Sequence, residues 1–142
     1  MDRRNFIKSG CTVCSTLIGA GFIAGALNSC APVPVYKGVT EQNKINVPLS
    51  EFGESNLLVV RNNKLEYDIL LIKKSAGAII ALLMMCSHQN NVLTISKSGL
   101  LCPMHGSTFD LEGNATKEPA VKPLRKFKTE IINQGITIDL KS

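Results

Sequence analysis

The sequence predicts a small all-β domain, an antiparallel sandwich or barrel, over residues 45–142 of a 142-residue chain. Three observations carry that expectation. Seven short apolar runs, 45–49, 57–61, 67–73, 78–85, 92–95, 126–132 and 136–140, are separated by breakers such as Asn62-Asn63, Ser75-Ala76-Gly77, Ser98-Gly99 and Glu112-Gly113-Asn114. Beyond residue 45 no stretch repeats its apolar residues with a helical period. At the end of the chain Phe127, Thr129 and Ile131 alternate with charged residues, Asn133-Gln134-Gly135 turns, and Ile136, Ile138 and Leu140 alternate again, as a hairpin does. With 44% apolar and 19% charged residues the chain is not disordered, and its length allows one domain with a thin core.

Residues 1–29 read as an export signal. Asp2-Arg3-Arg4-Asn5-Phe6-Ile7-Lys8 places a basic head before a stretch from Ser9 to Tyr36 that holds no charged residue. The head is similar to a twin-arginine signal: a polar residue, paired arginines, one variable residue, a phenylalanine, an aliphatic residue and a lysine. Gly10, Gly19, Gly21 and Gly25 keep the stretch weakly apolar, as in such signals. Leu27-Asn28-Ser29-Cys30 resembles a bacterial lipobox, which would make Cys30 the lipidated first residue of the mature chain. Two or three acyl chains, at ~0.8 kcal/mol per buried CH₂, would then anchor it. Left uncleaved, the uncharged stretch exceeds the ~20 residues that cross a bilayer and would serve as a signal anchor. Either outcome leaves a bacterial protein membrane-anchored on the extracytoplasmic, periplasmic side. Cys11 and Cys14 form a C-x-x-C pair, but inside this segment they read as small residues of an apolar stretch.

Residues 30–44, with Pro32, Pro34 and Gly38, read as a tether that could extend ~45 Å at about 3.3 Å per residue. The formal charge of +5 comes from 16 basic and 11 acidic residues; the leader takes three of the first and one of the second, leaving +3. The basic residues are scattered, so nucleic acid is not an expected partner. Lys122, Arg125, Lys126 and Lys128 are one concentration, read first as a solvated strand face and second as a surface that could steer an acidic redox protein.

The chemistry sits in two loops. Cys86-Ser87-His88 follows the most apolar run, and Cys102-Pro103-Met104-His105-Gly106-Ser107 follows the turn at Ser98-Gly99. These loops hold every cysteine and histidine beyond Cys30. Two thiolates and two imidazoles suit iron or zinc. A zinc-binding structural or interaction domain is the reading from another class, although zinc sites usually pair cysteine with cysteine and histidine with histidine, whereas here each loop offers one of each. The mixed arrangement suits a two-iron cluster in which both thiolates hold one iron and both imidazoles the other.

At these residues the chain resembles the Rieske [2Fe-2S] family: C-x-H, a gap, then C-P-x-H-G-S-x-F-D from Cys102 to Asp110. The resemblance continues through Leu111-Glu112-Gly113 and a proline-bearing segment, Glu118-Pro119-Ala120-Val121-Lys122-Pro123-Leu124. It implies a Rieske-like β-sandwich or barrel with two cluster-binding loops and one [2Fe-2S] cluster per chain. Cys86 and Cys102 would ligate one iron, His88 and His105 the other. Ser107 would donate a hydrogen bond to a bridging sulfide, Gly106 would let the backbone turn closely, and Pro119 would belong to the covering loop. In the family's quinol-oxidising members a second cysteine pair braces the loops, at positions that hold Asn91 and Met104 here. A tyrosine that adds a hydrogen bond in those members corresponds to Phe109. The potential is therefore expected below the upper end of the family's range of about −150 to +300 mV.

The resemblance implies a membrane-tethered carrier of single electrons without a substrate site of its own, in a respiratory chain of the quinol:cytochrome type. The alternative is the small Rieske subunit of a periplasmic oxidoreductase, arsenite-oxidase-like, so the redox partner would be a cytochrome or an oxidoreductase subunit. A Rieske oxygenase needs further histidines for a second iron, and this chain has only His88 and His105. A cytoplasmic dioxygenase ferredoxin would also lack the bracing cysteines, but the export signal argues against it. A twin-arginine route carries folded proteins, so a cluster could be inserted before export.

Overall fold

A computed structural model describes residues 32–142. The twin-arginine-like head, Cys11, Cys14 and the lipobox with Cys30 lie outside the described residues. Twelve strands and one 3₁₀ turn follow each other: β1 (Val35–Lys37), β2 (Thr40–Glu41), β3 (Lys44–Pro48), the turn Leu49–Phe52, β4 (Leu57–Arg61), β5 (Ile69–Lys73), β6 (Ile79–Leu83), β7 (Thr94–Ser96), β8 (Gly99–Leu101), β9 (Thr108–Phe109), β10 (Ala115–Lys117), β11 (Lys126–Ile132) and β12 (Gly135–Asp139). The domain is all-β, and each of the seven expected runs contributes a strand. Three departures stand out. β1 and β2 arise in the segment read as a tether, where the prolines and Gly38 hide two strands that earn their place by pairing rather than by pattern. β1 runs parallel to β4, Val35 opposite Val59, in an otherwise antiparallel domain. β8, β9 and β10, each two or three residues long, are too short to leave a period in the sequence.

The strands form two sheets. The larger runs β1-β4-β5-β6-β11-β12-β3-β2, the smaller β10-β9-β8-β7. The end strands of the larger sheet, β1 and β2, are separated in the chain only by Gly38 and Val39, so the sheet must curl back on itself into a half-barrel. Inside the curl lie Ile45 and Val47 of β3, Leu58 and Val60 of β4, Ile69 and Leu71 of β5, Ala81 and Leu83 of β6, Phe127, Ile136 and Ile138, with Phe52 of the 3₁₀ turn among them.

The alternate residues of the central strands form a second core. Val59, Leu70, Ile72, Leu82 and Met84 pack with Leu100 and Phe109 of the smaller sheet and with Cys86, Leu93, Cys102, Ala120 and Leu124. β4, β5 and β6 are therefore buried on both faces. Their sequences show it as unbroken apolar runs, Leu57-Leu58-Val59-Val60 and Ile69-Leu70-Leu71-Ile72, where a half-exposed strand would alternate. β3 does alternate, with Ile45 and Val47 buried between exposed neighbours, as a strand with one wet face should.

The hairpins β2–β3 and β11–β12 each turn over two residues, Gln42-Asn43 and Asn133-Gln134, all at positive φ. That is the type I′ geometry whose twist matches the flanking strands. In the second hairpin Lys128 faces Asp139 and Ile132 faces Gly135.

Candidate metal centre

β6 ends at Leu83, and its apolar continuation delivers Cys86 into the second core. The loop that follows is closed at its base by the bridge of Met85 with Val92, by Cys86 N–H to Asn91 O at 2.9 Å and by Leu93 N–H to Met84 O at 3.1 Å. The other loop joins β8 to β9. There Cys102 N–H donates to Ser107 O at 2.8 Å, and Gly106 N–H returns to Cys102 O at 3.0 Å. Gly106 has φ +78°, in the left-handed region that glycine adopts without penalty. A Cβ built there meets only Lys117 Nζ, at 3.9 Å, so the space beside this turn is open.

The two loops bring the four sequence-predicted donors to one end of the domain in two unlike pairs. Cys86 and Cys102 are wholly buried and free of any disulfide. His88 and His105 are exposed, their ring centroids 5.2 Å apart and their planes at 87°. Among the described residues no three Cys, His, Asp or Glu side chains converge on one point. A cluster whose irons each take two protein donors does not require that. Ser107 is also wholly buried; its hydroxyl oxygen accepts the Ala120 N–H at 3.0 Å, which leaves the hydroxyl proton free to donate. Buried thiols, paired surface imidazoles and a buried hydroxyl with an unspent proton fit a [2Fe-2S] group.

The segment from Glu118 to Leu124 lies against both loops. Ala120 reaches Ser107, and Ser87 Oγ donates to Lys122 O at 2.6 Å. Pro119, exposed, precedes Ala120 and is joined to Glu118 by a cis peptide bond. Phe109 is buried, a carbon-only side chain in the second core. Met104 and Val121 are exposed, at 63% and 76%. Asn91 spends its carbonyl on Cys86. Tyr67, from the β4–β5 connection, donates its phenol to Asn90 O at 2.6 Å. Burial, and after it the charge of Glu66, hold that phenol above its ordinary range, so it remains a donor. Neither Tyr67 nor Ser87 is legible in the sequence as part of the site: Tyr67 stands far from both loops along the chain, and a serine between two metal-binding residue types carries no pattern.

Behind the second loop, Asp110 organises the turn from β9 to β10. Its carboxylate accepts from Glu112 N–H at 3.0 Å, Asn114 N–H at 2.7 Å and Asn114 Nδ2 at 3.0 Å. Burial works to raise its pKa, but these bonds and the charge of Lys126 outweigh it and hold the carboxyl below its ordinary value. Gly113 O then accepts Leu124 N–H at 2.8 Å, and Glu112 pairs with Lys74 at the end of β5, so the small sheet is stitched to the large one. The basic concentration is spread by the fold. Lys122 lies beside the first loop, Arg125 stacks over Phe127 at 4.7 Å and donates to Leu140 O and Ser142 O, and Lys126 and Lys128 lie along β11.

Comparison with known proteins places the same features in a family. The Rieske [2Fe-2S] domain matches residues 46–128. Among solved structures, the plasma membrane Rieske protein PetC3 of the cyanobacterium Synechocystis PCC 6803 superposes with a TM-score of 0.56 at 23% identity, covering 66% of this chain and 96% of that one. The ferredoxin of carbazole 1,9a-dioxygenase from Nocardioides aromaticivorans IC177 gives 0.50 at 18% identity, over 68% of this chain and 96% of that one. The quaternary ammonium Rieske monooxygenase CntA gives 0.52 at 19%, over 66% of this chain and 30% of its own. At these identities the likenesses show a shared fold. Among curated protein sequences none matches significantly.

Proposed function

Because the chain belongs to the Rieske [2Fe-2S] domain family, whose domain binds a [2Fe-2S] cluster, we propose that it is a one-electron carrier tethered to the membrane outside the cytoplasm, serving a respiratory chain of the quinol:cytochrome type. Cys86 and Cys102 would hold the cluster from the buried side and His88 and His105 from the exposed side. When bound, the cluster supplies reversible one-electron chemistry. The observation that carries the reading is the division of the donors into a wholly buried thiol pair and an exposed imidazole pair 5.2 Å apart.

The chain's own residues set what that site can do. The buried cysteines exclude water from one side, and the packed Leu93, Leu100 and Phe109 keep it excluded. The imidazoles stand where a partner protein can touch them, so exchange with a donor or acceptor falls to that end. Met104 in the second loop and Val121 in the covering segment are exposed apolar side chains, while Lys117, near Gly106, and Lys122 add positive charge that favours an acidic partner. Ser107 fixes the second loop through Ala120 and keeps its hydroxyl proton available. Buried Phe109 contributes no hydroxyl, which favours a potential below the top of the family range. The uncharged stretch from Ser9 to Tyr36 and Cys30 support tethering, and the paired arginines support export of an already folded domain.

Visible absorption and electron paramagnetic resonance of the purified, dithionite-reduced protein test the reading. The expected result is a coloured protein with a rhombic [2Fe-2S] signal and two irons per chain. A colourless, silent protein with one zinc per chain would overturn it. Fractionation of cells making the full chain, with mass analysis of its N-terminus, tests the tether: a soluble cytoplasmic protein with an intact Met1 would refute that part.

A further inference from the structure

No covalent bond holds the two donor-bearing loops together: Cys86 and Cys102 are both free, and Asn91 and Met104 are not cysteines. The base of the first loop is fixed by main-chain bonds, but its outer part, His88 to Asn90, is exposed. Among the described residues two side-chain hydrogen bonds reach this loop. Tyr67 Oη donates to Asn90 O at 2.6 Å, and Ser87 Oγ donates to Lys122 O at 2.6 Å. They pull on opposite neighbours of the loop. Tyr67 is rooted in the β4–β5 connection, next to the Arg61–Asp68 ion pair that closes the ends of β4 and β5. Lys122 belongs to the Glu118–Leu124 segment, which is itself bound to the second loop through Ala120 N–H and Ser107 Oγ. Ser87 therefore couples the Cys86–His88 loop to the Cys102–His105 loop through a shared intermediate, and Tyr67 fixes the same loop against the half-barrel.

We propose that Tyr67 and Ser87 are positioning residues: together they form a non-covalent brace that holds His88 and Cys86 at a fixed separation from His105 and Cys102. The proposal rests on the assignment of those four side chains as cluster ligands. Neither brace residue touches the metal; each acts by restricting the loop that carries it. A hydrogen bond of ordinary net strength restricts an opening equilibrium roughly two- to tenfold. The two bonds act on one short loop, so their effects are expected to couple rather than to add independently.

The test uses the full chain loaded with its cluster, as wild type and as Tyr67→Phe, Ser87→Ala, Ser87→Thr and the Tyr67→Phe/Ser87→Ala double variant. Bleaching of the visible band is followed in an iron chelator, together with the linewidths of the reduced resonance signal and the thermal midpoint. Each single removal of a hydroxyl is expected to speed bleaching about two- to tenfold and to broaden the signal. The double variant is expected to be fastest, Ser87→Thr to return to the wild-type rate, and thermal midpoints to stay within a few degrees of wild type. Equal bleaching rates and linewidths in all coloured proteins would overturn the brace while leaving the ligand assignment standing. A colourless wild type would overturn the ligand assignment, and the brace with it. A Ser87→Thr variant as fast as Ser87→Ala would also count against the brace, because packing rather than the hydroxyl would then be the cause.

Discussion

Replacing Ser107 with alanine removes one oxygen from a site where two separate things depend on it. The hydroxyl is wholly buried and accepts the N–H of Ala120, a residue only 3% exposed. Without it that N–H loses its partner at a place water does not reach, and an unsatisfied buried donor costs about 1–3 kcal/mol. For a domain of this length about 1 kcal/mol moves the thermal midpoint by roughly 4 °C, so Ser107→Ala is expected to melt roughly 4–12 °C below wild type. The second dependence is redox. If the free proton of the hydroxyl is spent on the reduced cluster, a bond to a charged acceptor is worth about 1.5–3 kcal/mol, and its loss lowers a one-electron potential by roughly 60–130 mV. Calorimetry on the cluster-free and loaded proteins, and voltammetry on the loaded one, separate the two. A Ser107→Ala protein that melts with wild type in both forms would refute the claim that Ser107 anchors Ala120. A lowered melting point with an unchanged potential would keep the anchor and refute the proton's role.

Other consequences are equally open to measurement. Gly99, at φ +144°, lies so close to β9 that a Cβ would stand 2.0 Å from Phe109 O; Gly99→Ala should therefore cost about 3 kcal/mol or more by urea unfolding, and a loss below about 1 kcal/mol would mean that β8 and β9 do not approach each other as described. Asp110 is held below its ordinary pKa, so its contribution to stability is complete above the unfolded value of about 3.9 and fades as the pH falls through the lower folded value. Asp110→Asn should therefore flatten the acid limb of a stability profile below about pH 4, and an unchanged limb would count against this carboxylate. Cys102→Ser and His105→Ala should each abolish the normal resonance signal; a wild-type spectrum from either would remove that residue from the ligand set.

What the sequence makes legible is whatever is local. Cys86, His88, Cys102 and His105 stand out because their types are scarce and their spacing is short, and the loops they mark are the loops the fold brings together. The half-barrel is foreshadowed by the alternation of β3 and β12 and of β11 as far as Thr129, beyond which Ile131 and Ile132 are both exposed, and the double burial of β4 to β6 by their unbroken apolar runs. Features decided by pairing across distance leave no such trace. β1 is a strand because Val35, Tyr36 and Lys37 find Val59, Val60 and Arg61, although prolines at 32 and 34 mark the segment as a spacer. β9 has two residues, and its identity comes from Leu100 and Leu101 on one side and Ala115 and Lys117 on the other. Tyr67 meets Asn90 only because β5 and β6 are antiparallel, with Ile69 opposite Leu83, which places the start of one strand beside the loop that follows the other.

The central strands, β4 to β6, belong to two cores at once, and this bears on cooperativity. Lifting the small sheet away would wet Val59, Leu70, Ile72, Leu82 and Met84 along the back of the half-barrel. Re-exposing them would forfeit ~8 kcal/mol of gross apolar burial, at about 1.5 kcal/mol or more for each side chain. An intermediate with the half-barrel folded and the small sheet detached would leave that apolar back face wet and is disfavoured. The domain should exchange its buried amides as one unit, and release of metal has two routes: a fluctuation confined to the loops, or loss of the whole fold.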